Sequence, residues 1–551
     1  MNRFLQRILG NKSEKELQKL ISWVSDLSDM GDIAALKLST QQISLLIDAD
    51  SLTINQKIDL IVELEEINQL RLEKLSSDFS NLANLKPELE NSITDTCYTY
   101  CRQSYIYHLK IIELVINPDN SELKDEKLLL ILARAFNAAF EMLKWRAFIQ
   151  QNPPTKVWLQ IYLLYKIAFR HNLLNQPIEL FPLSPATTLS AHTVQICMFG
   201  QLQSAALEKQ HIQVATKIMR TWLAHAHISN QHNAEQYLFY IDLEQDVAAK
   251  RMRNFEPNDQ CRYWELDDLE KQIAIAITVS GRGEFPDSLI LAKIDGPKVL
   301  HETLVILHAE WTKEDYVRQR RTEGREAASR EAKVKAGVFE ICDQVLRANQ
   351  INNGLAQTKQ GSSLDNPILG HATLNNPNGM ALNSGSLDTW IITDQSKHGL
   401  GARVNKYANT LARPKKLIGL VFDDDPTIVS IGIIKAVKAT QGNQLKVGIE
   451  IISNLAIWAQ LKPIQENSTY VDSLSSANQN NLERPADTST FPSIYLPKEP
   501  GVSEQATMIV PKINFKLNAE YTIDFSGKTK RFEFNDPIES NDDWVKVAID
   551  F

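Results

Sequence analysis

The spacing of apolar residues changes part-way along this chain, and that change limits the folds it can adopt. From residue 14 to about residue 255, apolar residues recur at the spacing of an amphipathic helix, as in "LLLILARAFNAAFEMLKWRAF" and "KVWLQIYLLYKIAF". Residues 262–311 keep a mainly helical pattern. The first part of the chain is therefore predicted to be an array of helical hairpins, although no fixed period identifies a repeat family.

After residue 313 the pattern becomes typical of β-strands. In "LKVGIEII" apolar residues alternate with Lys, Gly and Glu, and "TIVSIGIIKAV" precedes it across a Gly-Asn turn at residues 442–443. This arrangement predicts an antiparallel hairpin. The alternation returns in "EYTIDFSGKTKRFEF" and in "WVKVAIDF", where Val545, Val547, Ile549 and Phe551 share one face. Several short strands with turn signals indicate one or two small β-barrels.

These patterns divide the chain into predicted domains. An α-helical domain covers residues 1–312, a β-barrel domain covers residues 313–464, and a C-terminal β module covers residues 493–551. Residues 349–388 and 465–492 are rich in Asn, Gly and Ser, which favours a polar loop inside the barrel domain and a linker after it. In the barrel domain, "GVFEICDQVL" predicts a strand that runs into a short helix. The expected fold class is multidomain α + β, with an all-α array followed by β domains.

Composition limits the function classes. The 551 residues exceed what one hydrophobic core supports, and 43% hydrophobic with 23% charged residues is typical of globular protein. No apolar run approaches a membrane span, and "MNRFLQRILGNKSEKE" is typical of a short amphipathic helix, not of a secretory signal. Five scattered cysteines favour a reducing compartment. These features predict a cytoplasmic protein without membrane insertion. The net charge of −8 argues against nucleic-acid binding.

Several groups that resemble metal or catalytic sites have simpler interpretations. Cys97 and Cys101 lack a second pair, so they are predicted to be buried thiols and not zinc ligands. The cluster His225, His227 and His232 has no convincing third-ligand motif. The acidic run Asp423, Asp424 and Asp425 is interpreted as a strand-end turn. An aromatic stripe is interpreted as core packing and comprises Phe136, Phe140, Trp145, Trp158, Tyr162 and Tyr165. We predict no metal, no cofactor and no catalytic site.

One polar turn carries the strongest functional signal. In "TWIITDQSKHGLGARV", residues 389–404, the apolar run at Trp390 is followed by Asp394-x-Ser396-x-x-Gly399. An Asp at a strand end accepts two hydrogen bonds from a planar donor edge, a Ser bonds a phosphate or backbone group, and a Gly admits close approach. Guanine offers such an edge through its N1–H and N2–H₂ groups.

Arginines suited to the other edge of guanine lie upstream. Arg321 and Arg325 occur in "RRTEGR", followed by Arg330. A guanidinium fork binds the O6 and N7 acceptors or a phosphate, and it stacks on purine faces. A solvated face of a charged helix is the alternative interpretation of the arginine pair.

Together these residues resemble the PilZ family of cyclic di-GMP receptors. The family signature is Arg-x-x-x-Arg followed by Asp/Asn-x-Ser-x-x-Gly at the opening of a six-stranded barrel, and this chain has "RTEGR" at 321–325 and "DQSKHG" at 394–399. The resemblance covers residues 315–455 and implies a PilZ-like β-barrel that binds cyclic di-GMP. By resemblance, Arg321 and Arg325 would contact guanine and phosphate, and Asp394, Ser396 and Gly399 would surround the base.

The spacing between the two motifs departs from the family pattern. Arg325 and Asp394 are 69 residues apart, where the family commonly has a few tens. The polar loop 349–388 can absorb the excess, since each doubling of a flexible loop costs only ~0.6 kcal/mol.

The sequence therefore predicts a non-enzymatic cytoplasmic receptor. Cyclic di-GMP would bind the β half, and the helical half would interact with a protein partner that the sequence does not identify. The alternative is a ligand-independent scaffold with a degenerate PilZ-like domain. A hydrolase acting through the 423–425 aspartates is the third hypothesis, and no recognisable catalytic motif supports it.

Overall fold

A computed structural model of the chain shows two compact units, residues 1–319 and 320–551. The structure describes the following residues: 27–47, 49, 52–82, 85–116, 125–202, 204–252, 255–312, 324–359, 388–406, 411–440, 442–464, 490–525, 528–541 and 543–549.

The first unit is built from helices, as the apolar spacing predicted. Its helices are α1 (Asp32–Ile47), α2 (Ile54–Asn81), α3 (Pro87–Val115), α4 (Asp125–Phe148), α5 (Val157–Arg170), α6 (Leu189–Gln201), α7 (Lys209–Trp222), α8 (Asp267–Ser280) and α9 (Pro297–Trp311). Neighbouring helices pack as hairpins, with α3 against α4 and α8 against α9. The prediction of a helical-hairpin array is confirmed.

Local sequence explains where several helices begin. Thr53 caps α2 in a capping box, in which its side chain accepts from Gln56 N and the Gln56 side chain accepts from Thr53 N at 3.0 Å. Thr188 caps α6 by accepting a hydrogen bond from Ala191 N at 3.1 Å. Pro297 begins α9, where a missing N–H leaves no unsatisfied donor.

The core of this unit contains the aromatic stripe. All six of its rings are buried, and Trp145 packs against Phe79 and Phe148 with ring centroids 5.6 and 5.2 Å away. Cys97 and Cys101 are free, buried thiols on α3. The predictions of core packing for the stripe and of buried thiols for this pair are confirmed.

The helical unit also contains two small sheets that the sequence pattern did not predict. Strand β1 (Ile178–Glu179) pairs with β2 (Ala186–Thr187), and β3 (Phe239–Asp242) pairs with both β4 (Lys250–Arg251) and β5 (Cys261–Trp264). These strands have two to four residues, too few to show a period of two. The helical interpretation of residues 262–264 is wrong, because this segment adopts an extended conformation and pairs with β3.

The second unit begins with a closed, six-stranded antiparallel barrel. Its strands are β6 (Glu326–Ala336), β7 (Asp388–Ser396), β8 (Gly399–Asn405), β9 (Leu417–Phe422), β10 (Asp425–Thr440) and β11 (Gln444–Ser453). Around the barrel the order is β10, β11, β8, β7, β6 and β9. The predicted fold class of a helical array followed by a β-barrel and a further sheet is confirmed.

Side-chain alternation fills the barrel. Trp390, Ile392 and Val447 belong to one buried cluster, whereas Ile391 between two of them is 45% exposed. The β10–β11 hairpin turns at Gly442 and Asn443, which have φ of +76° and +58°. Gly and Asn are the residues that adopt positive φ most readily, which explains their place in this loop between Thr440 and Gln444.

The start of the barrel differs from the prediction made for "GVFEICDQVL". The strand lies earlier, in β6, and the helix α10 (Val338–Lys359) follows directly after Gly337. In β6 the buried Ala332 and Val334 alternate with lysines, so strand pairing with β7 and β9 overrides the charged composition of the segment. Helix α10 also occupies residues 349–359 of the predicted loop, and residues 360–387 lie outside the described residues.

A seven-stranded antiparallel sheet completes the second unit. Its strands are β12 (Ile457–Pro463), β13 (Phe491–Leu496), β14 (Thr507–Pro511), β15 (Glu520–Phe525), β16 (Lys528–Glu533), β17 (Glu539–Ser540) and β18 (Trp544–Ala548). The strand order is β16, β15, β12, β13, β14, β18 and β17. Strand β12, which the sequence grouped with the barrel, pairs in this sheet. Most of the predicted linker, residues 465–489, and Phe551 lie outside the described residues, and the domain limits stay predictions.

Helix α10 joins the barrel to the second sheet. Its residues Ile341 and Val345 share a buried cluster with Ile431 of the barrel and with Ile494 and Trp544 of the sheet. Asn349 adds hydrogen bonds at the end of this contact, accepting from Trp458 N at 3.0 Å. Among the described residues of both units, no helix is long and apolar enough to cross a membrane.

Candidate site at the end of the barrel

Antiparallel pairing brings the two sequence motifs together at one end of the barrel. Strand β6 begins where β7 ends, with Glu326 opposite Gln395 and Ala327 opposite Asp394. Arg325, the residue before β6, forms an ion pair between its Nη1 and Asp394 Oδ1. These side chains are only 24% and 18% exposed, respectively. Two residues 69 positions apart in sequence therefore meet in the barrel.

Asp394 has further polar neighbours. The Thr393 hydroxyl lies 3.2 Å from Asp394 Oδ2 and 3.2 Å from the carbonyl oxygen of Gly401, and it can donate to either. Lys446 Nζ, on β11, lies 3.8 Å from Asp394 Oδ2. One carboxylate thus faces two cations, and the immediate surroundings carry a net positive charge.

The turn after β7 has the compact geometry that its sequence indicated. Ser396 is opposite Gly399 in the β7–β8 hairpin, and its hydroxyl donates to the Gly399 carbonyl oxygen at 3.3 Å. A Cβ at Gly399 would lie 3.2 Å from the Ile449 carbonyl oxygen and 3.6 Å from Arg325 Nη2. The bare backbone therefore keeps the space beside the Arg325 guanidinium open.

The other two arginines are placed differently. Arg321 lies outside the described residues. Arg330 is on β6, where its guanidinium lies 3.8 Å from the centre of the Phe422 ring and its Nη2 donates to Gln395 Oε1 at 2.9 Å. Its Nη1 is also 3.6 Å from Asp424 Oδ2. Arg325 rather than Arg330 is the described arginine in contact with Asp394.

Three residues near Asp394 were missed by the sequence reasoning. A Cβ at Gly401 would overlap the Asp394 carboxylate, so a glycine is required there. The repeated glycine in "GLGARV" was the available signal for it. Thr393 adjoins the motif and Lys446 lies on a strand distant in sequence, so only strand pairing reveals that both reach Asp394.

The remaining candidate groups have structural roles. Asp423 and Asp424 form the turn between β9 and β10, as predicted, whereas Asp425 is the first residue of β10. Asp423 Oδ1 lies 3.2 Å from Lys333 Nζ. His227 Nδ1 is 3.4 Å from Asn175 Oδ1, whereas His232 packs against the rings of Phe255 and Tyr263. Within the described ranges, no group of three His, Cys, Asp or Glu side chains could hold a metal ion.

The described atoms define what the barrel end can recognise. A carboxylate that releases its arginine accepts two parallel N–H bonds, and the freed guanidinium donates two. Such a pair suits a planar group with donors on one edge and acceptors on the other. The fold and the site together define a class of protein with a helical-hairpin unit and a barrel unit that carries an arginine–carboxylate pair at one end of the barrel.

Comparison with protein families gives a match in the helical unit. Residues 18–234 match the family model described as "Cyclic-di-GMP receptor FimW, N-terminal domain". This part of the chain is thus similar to the N-terminal domain of a cyclic di-GMP receptor. The match does not include residues 315–455, so the PilZ resemblance stays a prediction. No curated protein and no solved structure shows significant similarity to the chain.

Proposed function

We propose that this protein is a cyclic di-GMP receptor that binds its ligand at the end of the barrel. The proposed ligand residues are Arg321, Arg325, Asp394, Ser396 and Gly399. The observation that carries the proposal is the contact between Arg325 and Asp394, which unites the two halves of the motif despite their separation in sequence. The receptor is proposed to act by binding, in the cytoplasm and without catalysis.

Ligand binding would replace the ion pair between Arg325 and Asp394 by two contacts, one from each residue to the ligand. In the free chain, Asp394 and Arg325 satisfy each other. A guanine entering the site would bring its N1–H and N2–H₂ donors to Asp394 and leave Arg325 to bond O6, N7 or a phosphate oxygen. Both side chains are partly exposed, so the exchange does not leave an isolated charge in the core. Lys446 supplies additional attraction for the phosphates.

The family match supports this reading from a different part of the chain. Residues 18–234 are similar to the N-terminal domain of a cyclic di-GMP receptor, whereas the arginine–carboxylate pair belongs to the barrel. We further propose that ligand binding in the β unit controls interaction of the helical unit with a protein partner, and that the barrel is PilZ-like.

Calorimetric titration of the full chain tests the proposal. Cyclic di-GMP should bind, and GTP and cyclic di-AMP should bind much more weakly. Cyclic di-AMP lacks the N1–H and N2–H₂ donors that match Asp394, and GTP offers only one guanine. Equal affinity for cyclic di-AMP would exclude guanine recognition. If cyclic di-GMP does not bind, the barrel is a scaffold without this ligand.

A further inference from the structure

Three cations lie in one line across the outer face of the barrel. Lys438 on β10 is directly opposite Lys446 on β11, and Lys446 is directly opposite Arg403 on β8. All three residues are exposed, whereas their strand neighbours Val437 and Val447 are buried in the barrel core. Alternation along the strands therefore places the three cations on the outside of the barrel, and we call them the cation row.

The strands that carry the cation row have an excess of positive charge. Strands β8 and β11, with the part of β10 that pairs with β11 (residues 431–440), contain four cations and one acid, a net charge of 4 − 1 = +3. The acid, Glu450, pairs with the fourth cation, Lys435, at 2.7 Å. Towards β7 the row meets the uncharged Ile391, and the acid Glu331 lies one strand further away, on β6. On the paired part of these strands, therefore, no further acid compensates the cation row.

Only one member of the cation row approaches an acid among the described residues. Lys446 Nζ lies 3.8 Å from Asp394 Oδ2, and that carboxylate already pairs with Arg325. Arg403 and Lys438 make no ion pair within the described part of the chain. Like charges directly opposite each other on neighbouring strands are destabilising, so an anion bound along the row would relieve their repulsion.

A floor of small residues lies beside the cation row. Ala436, Gly448 and Gly401 are directly opposite one another on β10, β11 and β8, two residues along each strand from the cations. A Cβ placed on Gly448 would lie 3.9 Å from its nearest neighbour, so the space above this residue is open. The Asp394 carboxylate covers Gly401. The floor therefore begins at the proposed guanine-binding carboxylate and continues across two more strands, with the cation row along its edge.

The dimensions of this face suit a ligand with two anionic groups. Neighbouring strands are about 4.8 Å apart, so the backbone positions of the cation row span about 10 Å over three strands. A cyclic dinucleotide carries two phosphates in one compact ring, and phosphate oxygens accept strong hydrogen bonds from Lys and Arg. A nucleoside monophosphate has one phosphate and would contact only part of the row.

We propose that the cation row binds the two phosphates of the cyclic dinucleotide, which lies across β8, β11 and β10 on the outer face of the barrel. This inference rests on the proposed function, because it starts from one guanine bound at Asp394. Lys446, next to that guanine, contacts the phosphates from the middle of the row, and Arg403 and Lys438 contact them from its two ends. The rest of the ring lies on the floor at Gly448. The row thus favours a ligand with two phosphates, which the carboxylate alone does not select.

Variants that remove charge at the two ends of the row test the proposal. Cyclic di-GMP is titrated calorimetrically into the full chain and into Arg403→Gln, Lys438→Gln and the double variant. Each single change should weaken binding about three- to tenfold, and the double variant should lose more than either, because each change removes a charged donor to a phosphate. Lys462→Gln is the matched control. It removes an exposed lysine from β12, a strand of the seven-stranded sheet, and should keep the wild-type affinity.

Two further measurements separate loss of charge from loss of fold. Lys438→Arg keeps the positive charge and should lose less affinity than Lys438→Gln. The association constant of the wild-type chain should decrease between about 0.01 M and about 0.15 M salt, where the Debye length shortens from about 30 to about 8 Å, and it should decrease less in the double variant. Circular dichroism and thermal unfolding should show no loss of stability in the double variant, because the changed residues are exposed and fewer like charges face each other.

GMP tests the requirement for two phosphates. Its affinity is measured by competition against cyclic di-GMP, and the double variant should weaken GMP binding less than cyclic di-GMP binding, because GMP contacts only part of the row. An equal fold-change for the two ligands would indicate a general attraction for anions and would overturn the assignment of both phosphates to the row.

The outcomes distinguish this inference from the proposed function. If cyclic di-GMP does not bind the wild-type chain, both are overturned. If Asp394→Ala weakens binding while the double variant keeps the wild-type affinity, only the cation row is excluded. If the double variant loses affinity and Asp394→Ala does not, the row binds the ligand and the guanine contact at Asp394 is wrong. An equal loss in Lys462→Gln would also overturn the inference, since the effect would then not be specific to the row.

Discussion

The two units use similar ion pairs at different depths. In the helical unit, the Arg134 side chain is 1% exposed, and its cationic head lies near Glu65 and Glu66 and over the Phe181 ring. In the barrel unit, the paired Arg325 and Asp394 are each about a fifth exposed. A fully buried charge depends on its partners, because removing one leaves the other desolvated and unpaired. A partly exposed pair can separate and bond a ligand without that penalty.

The largest expected effect tests the buried side of this comparison. Arg134→Met would leave the Glu65 carboxylate buried with less compensation and should lower the free energy of unfolding by about 3–5 kcal/mol. The measurement is urea denaturation of the full chain followed by far-ultraviolet circular dichroism. The control is Arg146→Met on the same helix, where a 2.9 Å hydrogen bond to the Asn152 carbonyl oxygen and a contact with the Tyr98 ring at 5.3 Å are lost, and about 1 kcal/mol is expected. Equal losses in the two variants would contradict a special role for the buried charge.

The next effect concerns the pH dependence of the helical unit. The pKa of His192 is lowered to about 3 in the folded chain by burial and by Arg220, against an ordinary value near 6.5. The unfolded chain therefore takes up the proton first on acidification. The contribution of His192 to stability is complete above about pH 6.5 and falls by about 1.4 kcal/mol per pH unit below it, until the folded pKa is reached.

Denaturation at neutral pH and at about pH 5 measures this dependence. Below about pH 6.5, the slope of the unfolding free energy against pH should be smaller in the His192→Gln variant, by the contribution of about one bound proton. The control His227→Gln changes an exposed histidine and should keep the wild-type dependence. An unchanged slope in His192→Gln would show that its imidazole titrates normally in the folded chain.

A third prediction tests the accessible pair. Asp394→Ala removes the carboxylate proposed to bond the guanine edge and should weaken cyclic di-GMP binding by about 1–3 kcal/mol. Far-ultraviolet circular dichroism should barely change, because the residue lies at a strand end. Asp343→Ala is the matched control, since Asp343 is a partly exposed acid on α10 that pairs with Lys335 and Arg347. Undiminished affinity in folded Asp394→Ala would exclude this residue from the site.

The smallest predicted effect separates the shape of an arginine from its charge. Arg325→Lys and Arg321→Lys keep the positive charge but remove the planar fork, and each should weaken cyclic di-GMP binding by about 1 kcal/mol. The double variant should lose less than the sum, because both arginines would contact one ligand. Affinity is compared at fixed ionic strength, with the exposed Arg347→Lys as control. Near-wild-type binding by the double variant would show that the two arginines act only through their positive charge and do not clamp the ligand.

The accuracy of the sequence predictions followed the length of each pattern. Long helices and the β10–β11 hairpin were predicted because burial of one face repeats over many residues. Strands β3 and β5 were not predicted, since four residues carry too little periodicity. Strand β6 was missed because charged residues occur along it, and only Ala332 and Val334 show the buried alternation that barrel pairing uses.

The sequence by itself determined the order of helical and β units, the hairpin turn at residues 442–443 and the chemistry available at Asp394 and Arg325. Those properties depend on residue type and local spacing, which can be read directly from the sequence. Only the tertiary structure decided that Arg325 contacts Asp394, that Gly401 leaves room for the carboxylate and that Lys446 approaches it. Strand pairing sets these distances between segments far apart in sequence, and local patterns do not encode them.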